Sequence, residues 1–153
     1  MEHIIQERGV TIRDNVTVTV TDAITGQILS TTTSHNEPLA YAFNTLSQWF
    51  SGTNNTGYNA LVPPTQIQLG NGTGSTFTPV SGTLKDISYN NFVGGGQSQV
   101  VVQYTSTDPS GTFTQAQFRD TNGNAWFLDI FSADVTKTDT QNLTLQWDVT
   151  FQS

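Results

Sequence analysis

The segment that most constrains the fold is an alternating run near the end of the chain, from Leu143 to Phe151. Its apolar residues are Leu, Leu, Trp, Val and Phe, and the residues between them are Thr, Gln, Asp and Thr. Because successive side chains of a strand point to opposite faces, this spacing predicts a strand with one buried face. Burial of five such side chains, at about 1.5–3 kcal/mol each, would make this strand indispensable to the domain.

The same alternation recurs along most of the chain. Residues 15–21 alternate Val with Thr, and a turn at residues 22–26 leads into a returning run at 27–33, which predicts a β-hairpin. Further strands are expected at 65–69, 98–107 and 112–118. The run from Ala125 to Phe131 is apolar on both faces apart from Asp129, so we expect it to lie centrally in a sheet and to be covered on both sides.

One segment has helical spacing instead. Leu39, Phe43, Leu46 and Phe50 recur every three or four residues, which predicts a short α-helix over about 36–51. Within it, Pro38 suits the first turn, and Asn36 or Ser34 suits the N-cap. We expect the large aromatic side chains of this helix to cover one side of a sheet.

These patterns predict an all-β fold, an antiparallel sandwich or barrel-like domain with one short helix. The length of 153 residues fits a single domain, and charged residues make up only 11% of the chain, so its surface must be built from uncharged polar residues. We place this domain at residues 15–153. Residues 1–14 differ, because they carry five charged side chains and form a candidate N-terminal arm.

The arm has two interpretations. It is either a frayed terminus followed by an edge strand, or a segment that leaves its own domain and docks on a neighbouring subunit. The second interpretation predicts a subunit interface in which apolar side chains are buried and charges are paired. The residues of this candidate interface are Ile4, Ile5, Arg8, Val10, Ile12 and Arg13.

Composition and charge argue against several classes of function. The net charge of −7 would repel a phosphate backbone, so direct nucleic-acid binding is not expected. The chain has no cysteine and no apolar run long enough to span a bilayer, so neither thiol chemistry nor membrane insertion is expected. His3 and His35 belong to no triad or metal spacing, so we expect neither an enzyme nor a metal or cofactor site.

Four local features have both a functional and a structural interpretation. The sequence from Asp120 to Asn124 begins like a calcium loop, but Ala125 stands where that loop needs glycine, and a hairpin turn around Asn-Gly is favoured. The glycine-rich loop at 70–74 lacks the Lys-Ser/Thr of a phosphate loop. Asp129 is expected either to have a buried partner or to face a subunit interface. The three tryptophans could stack on sugars, but their apolar surroundings favour core packing.

Three segments carry a resemblance to a known type of protein. They are Ile67-Gln68-Leu69-Gly70 leading into a Gly/Thr loop, Val135-Thr136-Lys137-Thr138, and the closing strand from Leu143 to Phe151. Together with the opening Val-Thr hairpin they resemble small structural proteins of tailed bacteriophages. The chain departs from that type at 115–118, where Gln-Ala-Gln-Phe replaces a Glu-x-Gly-Leu-Phe-like segment.

The resemblance implies a non-enzymatic role in the virion, assembled in the host cytoplasm. The leading hypothesis is a capsid decoration, or cement, protein that joins neighbouring subunits of the major capsid protein. By analogy with sites between capsomers, we expect a homo-oligomer, with a trimer as the first guess. One alternative is a tail, baseplate or fibre-attachment protein; another, of a different class, is a carbohydrate-binding β-sandwich module.

Overall fold

The computed structural model describes residues 11–35, 39–51 and 62–152, and it has the predicted all-β architecture with two antiparallel sheets arranged like a sandwich. The helix and strands, in chain order, are β1 (Thr11–Asp22), β2 (Ile28–Ser34), α1 (Ala40–Ser51), β3 (Gln66–Asn71), β4 (Thr78–Pro79), β5 (Lys85–Asp86), β6 (Tyr89–Gly94), β7 (Gln97–Tyr104), β8 (Gly111–Arg119), β9 (Ala125–Lys137) and β10 (Gln141–Gln152). Sheet A has the strand order β2-β1-β10-β7-β6. Sheet B has the order β4-β3-β8-β9, and β5 also pairs with β3.

Strand β10, which contains the alternating run, lies in the middle of sheet A. It pairs with β1 on one side and with β7 on the other, so Leu145 stands between Val18 and Val102 in one row across the sheet. Its side chains at 143, 145, 147 and 149 are buried, as the alternation predicts. Phe151 is the exception with 40% of its surface exposed, because it lies at the end of the sheet.

Strand β1 begins at Thr11, so the predicted boundary between arm and domain at residue 14 is corrected. Residues 11–14 pair with residues 149–152 of β10 and belong to sheet A. The alternation that starts at Val16 extends backward through Asp14 to Ile12, and all three side chains are buried. Because this segment carries charged residues, the sequence alone did not show that the alternation continues through it.

The core between the two sheets is centred on aromatic side chains from both. Trp147 of sheet A lies 5.6 Å from Phe118 and 6.2 Å from Phe127 of sheet B, measured between ring centroids, and Phe118 and Phe127 are stacked at 6.0 Å. Tilted and offset contacts of this kind add to the energy of burial. The core therefore joins the most strongly patterned strand to the opposite sheet.

Helix α1 is confirmed, but its predicted packing is not. The helix begins at Ala40 among the described residues. Ser34, one of the two predicted N-caps, is instead the last residue of β2, and Asn36 and Pro38 lie outside the described residues. Ala42 and Thr45 are buried, whereas Phe43 is 43% exposed. Small side chains allow the helix to approach β9 closely, and this turns the bulky Phe43 outward. The side chains of Trp49 and Phe50 are not among those described.

Strand β9 is an edge strand of sheet B, which corrects the expectation of a central position. Both of its faces are nevertheless covered from Trp126 to Asp129, as predicted. The core covers one face and α1 packs on the strand, where Tyr41 meets Trp126 edge to face and the Leu39 N–H donates to the Trp126 carbonyl. The helix thus covers a strand that has a neighbouring strand on one side only.

The loop after β3 fits tightly over sheet B. A Cβ atom added to Gly70 would lie 2.4 Å from the Phe77 ring, and one added to Gly72 would lie 1.8 Å from the Thr76 carbonyl oxygen. These glycines are required by close packing rather than by a bound phosphate. The loop is fastened by Gln115, whose Nε2 donates to the Gly74 carbonyl at 2.8 Å.

Candidate interaction surface

The structure separates the predicted interface residues into two groups. Ile12 is 5% exposed in the core of its own domain, so it is not available to a neighbouring subunit and is removed from the candidate interface. Arg13 lies on the opposite face of β1 and is exposed. The other members of the set, Ile4, Ile5, Arg8 and Val10, lie outside the described residues.

The outer face of sheet A is an array of uncharged hydrogen-bonding side chains. Thr17, Thr19 and Thr21 point outward from β1, and the paired positions of the neighbouring strands are also polar: Thr33 and Gln146 flank Thr17, and Thr31 and Thr144 flank Thr19. Among the described residues of β1 and β10, Arg13 and Asp148 are the charged members of this face. Asp148 accepts hydrogen bonds from the amides of Gln99 and Gln146.

The edges of the two sheets differ in how they are protected from pairing with another chain. In sheet B, β4 and β5 have two residues each and contain Pro79, Lys85 and Asp86. Strand β9 is covered by α1 and bulges between Ile130 and Val135. Short strands, proline, charge, bulges and covering elements are the usual means of protecting an edge.

The β2 edge of sheet A has much less protection. The chain has no Asp, Glu, Lys or Arg between Asp22 and Glu37, and Ile28 and Leu29 are 64% and 47% exposed. Among the described residues, side chains of β9 cover the end of β2: the Ser132 hydroxyl donates to the Thr33 carbonyl, and the Ser34 hydroxyl donates to Asp129. The stretch from Ile28 to Thr32, called the free β2 edge below, is exposed along most of its length.

Two buried carboxylates are held by partners inside the sandwich. Asp129 accepts a 2.5 Å hydrogen bond from Ser34, so the first of the two alternatives for this residue, a buried partner, is confirmed. Asp14 accepts a hydrogen bond from the indole N–H of Trp147 at 3.0 Å. Sequence reasoning missed Asp14, although its position two residues before Val16 placed it on the core face.

Asp120 organises the turn between β8 and β9, and the hairpin interpretation of this segment is confirmed. Its carboxylate accepts hydrogen bonds from the backbone N–H groups of Asn122 and Asn124, from the Asn124 amide and from the Trp126 indole. Burial alone would raise the pKa of Asp120, but these hydrogen bonds, led by those from Asn124, outweigh it and lower the pKa. All of this carboxylate's contacts serve the fold.

A charged cluster closes one end of the sandwich. The Lys85 ammonium contacts Asp108 at 2.5 Å and lies 5.3 Å from the centre of the Tyr104 ring. Lys137 is 1% exposed and donates to the carbonyls of Asp108 and Thr138. Burial lowers the pKa of Lys137, and the negative charges of Asp108 and Asp139 oppose that shift.

Two further members of this cluster, Asp108 and Tyr104, also have shifted pKa values. Burial would raise the pKa of Asp108, but hydrogen bonds from Lys85 and from the Thr105 N–H lower it overall. Burial and the charge of Asp108 raise the pKa of Tyr104, whose hydroxyl donates to the Thr83 carbonyl at 2.8 Å. The cluster ties the 105–108 turn to sheet B and to β9.

The described residues contain no group of three or more His, Asp or Glu side chains that could hold a metal ion, and no described helix is long and apolar enough to cross a bilayer. Trp126 and Trp147 are buried, as expected for core residues; the side chain of Trp49 is not among those described. His35 follows β2 and is exposed, and His3 lies outside the described residues.

Comparison of the chain with protein-family models, curated protein sequences and solved structures found no significant match.

Proposed function

We propose that this chain is a structural component of a tailed-phage virion, specifically a capsid decoration protein that joins neighbouring subunits of the capsid. The observation that carries the proposal is the difference between the groups in the interior of the domain and those on its exterior. Most large apolar side chains of the described residues and three buried carboxylates are engaged within the fold, whereas the outer face of sheet A and the free β2 edge offer mainly uncharged polar and backbone groups. Such surfaces suit protein–protein contact.

The positions of the motifs that resemble phage structural proteins support the proposal. Ile67 and Leu69 are core residues of β3, and Gly70 packs closely against Phe77 near the end of that strand. Lys137 ends β9 inside the charged cluster, and the run from Leu143 forms the central strand. The resemblance thus rests on residues that build the domain.

A decoration protein acts by mass action. Binding to the assembled shell stabilises the shell by the free energy of association, and many repeated sites multiply that effect. Under this proposal the partner is the major capsid protein, the location is the virion, and copies meet one another around capsid symmetry axes.

Copy number in purified particles tests the proposal and separates it from its nearest alternative. Quantitative mass spectrometry against an isotope-labelled standard is expected to give hundreds of copies per particle, comparable to the major capsid protein. A handful to a few dozen copies would assign the chain to the tail, baseplate or fibre attachment. Absence from washed particles would reject a virion role.

A deletion series then asks whether the N-terminal segment carries the binding. Removal of residues 1–10 leaves β1 intact, so a folded protein that no longer binds particles would support docking through the arm. Removal of residues 1–14 also deletes Ile12 and Asp14 from the core and is the control for misfolding. A carbohydrate-binding module would instead keep its affinity for a glycan array after removal of residues 1–10.

A further inference from the structure

The free β2 edge has the properties of a strand that pairs with another strand. Its neighbour β1 satisfies the backbone groups on one side only, since β2 is the terminal strand of sheet A. Unpaired N–H and C=O groups along an exposed edge are a template for β-augmentation. Ser30 to Ser34 pair with β1 in unbroken register, and the irregularity of this hairpin is confined to Leu29.

The backbone at Thr31 faces outward. The Thr33 carbonyl accepts a hydrogen bond from Ser132 of β9, which places it on the side of β2 away from β1. In an antiparallel strand the N–H and C=O of one residue point to the same side, and alternate residues share that side. Thr31 therefore presents both of its backbone groups to the open edge. It lies two residues before Thr33, where the covered end of the strand begins.

We propose that the free β2 edge pairs with the same edge of a second copy across a two-fold axis, so that two five-stranded sheets become one continuous sheet. A two-fold axis perpendicular to the sheet makes the two β2 strands antiparallel. Its centre falls at Ser30, the middle of the free β2 edge, so that Thr31 of each copy faces Leu29 of the other and bonds the partner strand through its N–H and C=O. Thr33, whose carbonyl already has a donor on β9, stays outside the contact. Ile28 and Leu29 of each copy then lie beside the partner strand and lose exposed area. This inference deepens the proposed structural role, on which its use in a particle rests.

Charge favours a second copy as the occupant of this edge. A two-fold contact sets the free β2 edge against a copy of itself, so any charged residue on this short stretch would lie within a few residues of a like charge on the partner. The chain carries a net charge of −7, yet the 13 residues from Ala23 to His35 contain no Asp, Glu, Lys or Arg. This is a segment where two copies of an acidic protein can meet without close repulsion.

The opposite edge of sheet A fits this role less well. Strand β6 is also uncharged, with Phe92 72% exposed, but its ladder with β7 shifts between Phe92 and Gly94, and it contains two asparagines and a glycine. These residues are poor strand formers, whereas β2 is rich in Ile and Thr. Moreover, β2 and β6 run in the same direction across the antiparallel sheet, so joining copies head to tail would require parallel pairing, which is slightly weaker.

The test measures self-association of the full chain by sedimentation equilibrium, over protein concentrations from about 1 µM to 1 mM. The natural sequence is expected to dimerise. Thr31→Lys places two ammonium groups close together on either side of the two-fold axis and is expected to weaken dimerisation by about tenfold or more. Thr31→Val keeps the strand and adds no charge, and Asn91→Lys adds the same charge on β6; both are expected to stay within about threefold of the natural sequence.

Each other outcome overturns the inference. A chain that is monomeric throughout the range has no such contact. Equal weakening by Thr31→Lys and Asn91→Lys would indicate head-to-tail pairing of β2 with β6, and weakening by Asn91→Lys alone would move the contact to β6. Because this measurement needs only the purified chain, a dimer that is absent from particles would reject the virion role and leave the contact standing.

Hydrogen exchange at the Thr31 amide tests the contact without introducing a charge. Concentration-dependent protection of the Thr31 amide is expected in the natural sequence, because that amide becomes a donor to the second copy. Thr31→Pro removes the donor from the open side of the strand, where proline is tolerated, and is expected to weaken dimerisation while the circular dichroism spectrum is kept. Unchanged exchange at Thr31 in a dimeric sample would contradict the proposed register.

Discussion

Strands β10 and β2 belong to the same sheet, are both rich in β-branched or apolar residues, and are used in opposite ways. β10 has a neighbour on each side and buries its apolar face against the aromatic core. β2 has a neighbour on one side only and leaves Ile28 and Leu29 largely exposed. The difference teaches that position within the sheet decides whether an apolar strand stabilises the domain or becomes available to a partner.

Among the changes that test this comparison, deletion of β10 is expected to have the largest effect on folding. A chain that ends at Asn142 loses the central strand of sheet A and separates β1 from β7, so we expect it to be unfolded at all temperatures. Circular dichroism and the dispersion of amide resonances measure this directly. A chain that ends at Phe151 is the control and is expected to fold; a folded protein lacking β10 would contradict the central role of that strand.

A matched pair of leucine substitutions compares the two strands at the level of one side chain. Leu145→Ala removes a fully buried side chain and is expected to lower the free energy of unfolding by about 2–5 kcal/mol. Leu29→Ala removes one that is half exposed, and its cost is expected to be within about 1 kcal/mol. Urea titrations give both values; similar losses would mean that β2 is part of the core.

The turn at Asp120 allows the contribution of one buried charge to stability to be measured through its pH dependence. Its folded-state pKa lies below the unfolded value, so its charged form stabilises the fold above about pH 4, and this stability is lost as the pH falls through the folded-state pKa. Asp120→Asn keeps the shape and removes the charge. We expect it to lower the free energy of unfolding at pH 7 by about 1–3 kcal/mol.

The pH dependence of this variant is the sharper measurement. The difference between Asp120→Asn and the natural sequence is expected to shrink as the pH falls below about 4 and through the folded-state pKa, because the natural carboxyl becomes protonated first in the unfolded chain and then in the folded protein. Asp86→Asn is the control for a carboxylate on the exposed end of β5. A difference that is constant from pH 7 to pH 3 would show that charge is not what Asp120 contributes.

The smallest expected effect on folding is that of Thr31→Lys, the variant that tests self-pairing of β2. Thr31 is exposed and its backbone groups face the open edge, so the free energy of unfolding measured at a monomeric concentration is expected to change by less than about 0.5 kcal/mol. This places the substitution at the opposite extreme from Leu145→Ala. A loss above about 1.5 kcal/mol would mean that β2 contributes side-chain packing that its exposure does not reveal.

Much of the fold could be predicted because its strands alternate clearly. The hairpin of β1 and β2, the strands near 66–71, 97–104 and 111–119, the Asp120 turn and the buried face of β10 all follow from local spacing and turn residues. The candidate interface was harder to predict, since Ile12 looks the same in an arm as in a strand. Only its pairing with Phe151 shows that it belongs to the sheet.

The sequence by itself determined which faces of the strands are buried, because side-chain alternation is a local property of an extended backbone. The order of strands in each sheet was decided only in the tertiary structure, where β9 became an edge covered by α1 and Phe43 turned outward. The same holds for the free β2 edge. Whether a strand has one neighbour or two depends on contacts between residues distant in the chain, and the local sequence pattern does not determine those contacts.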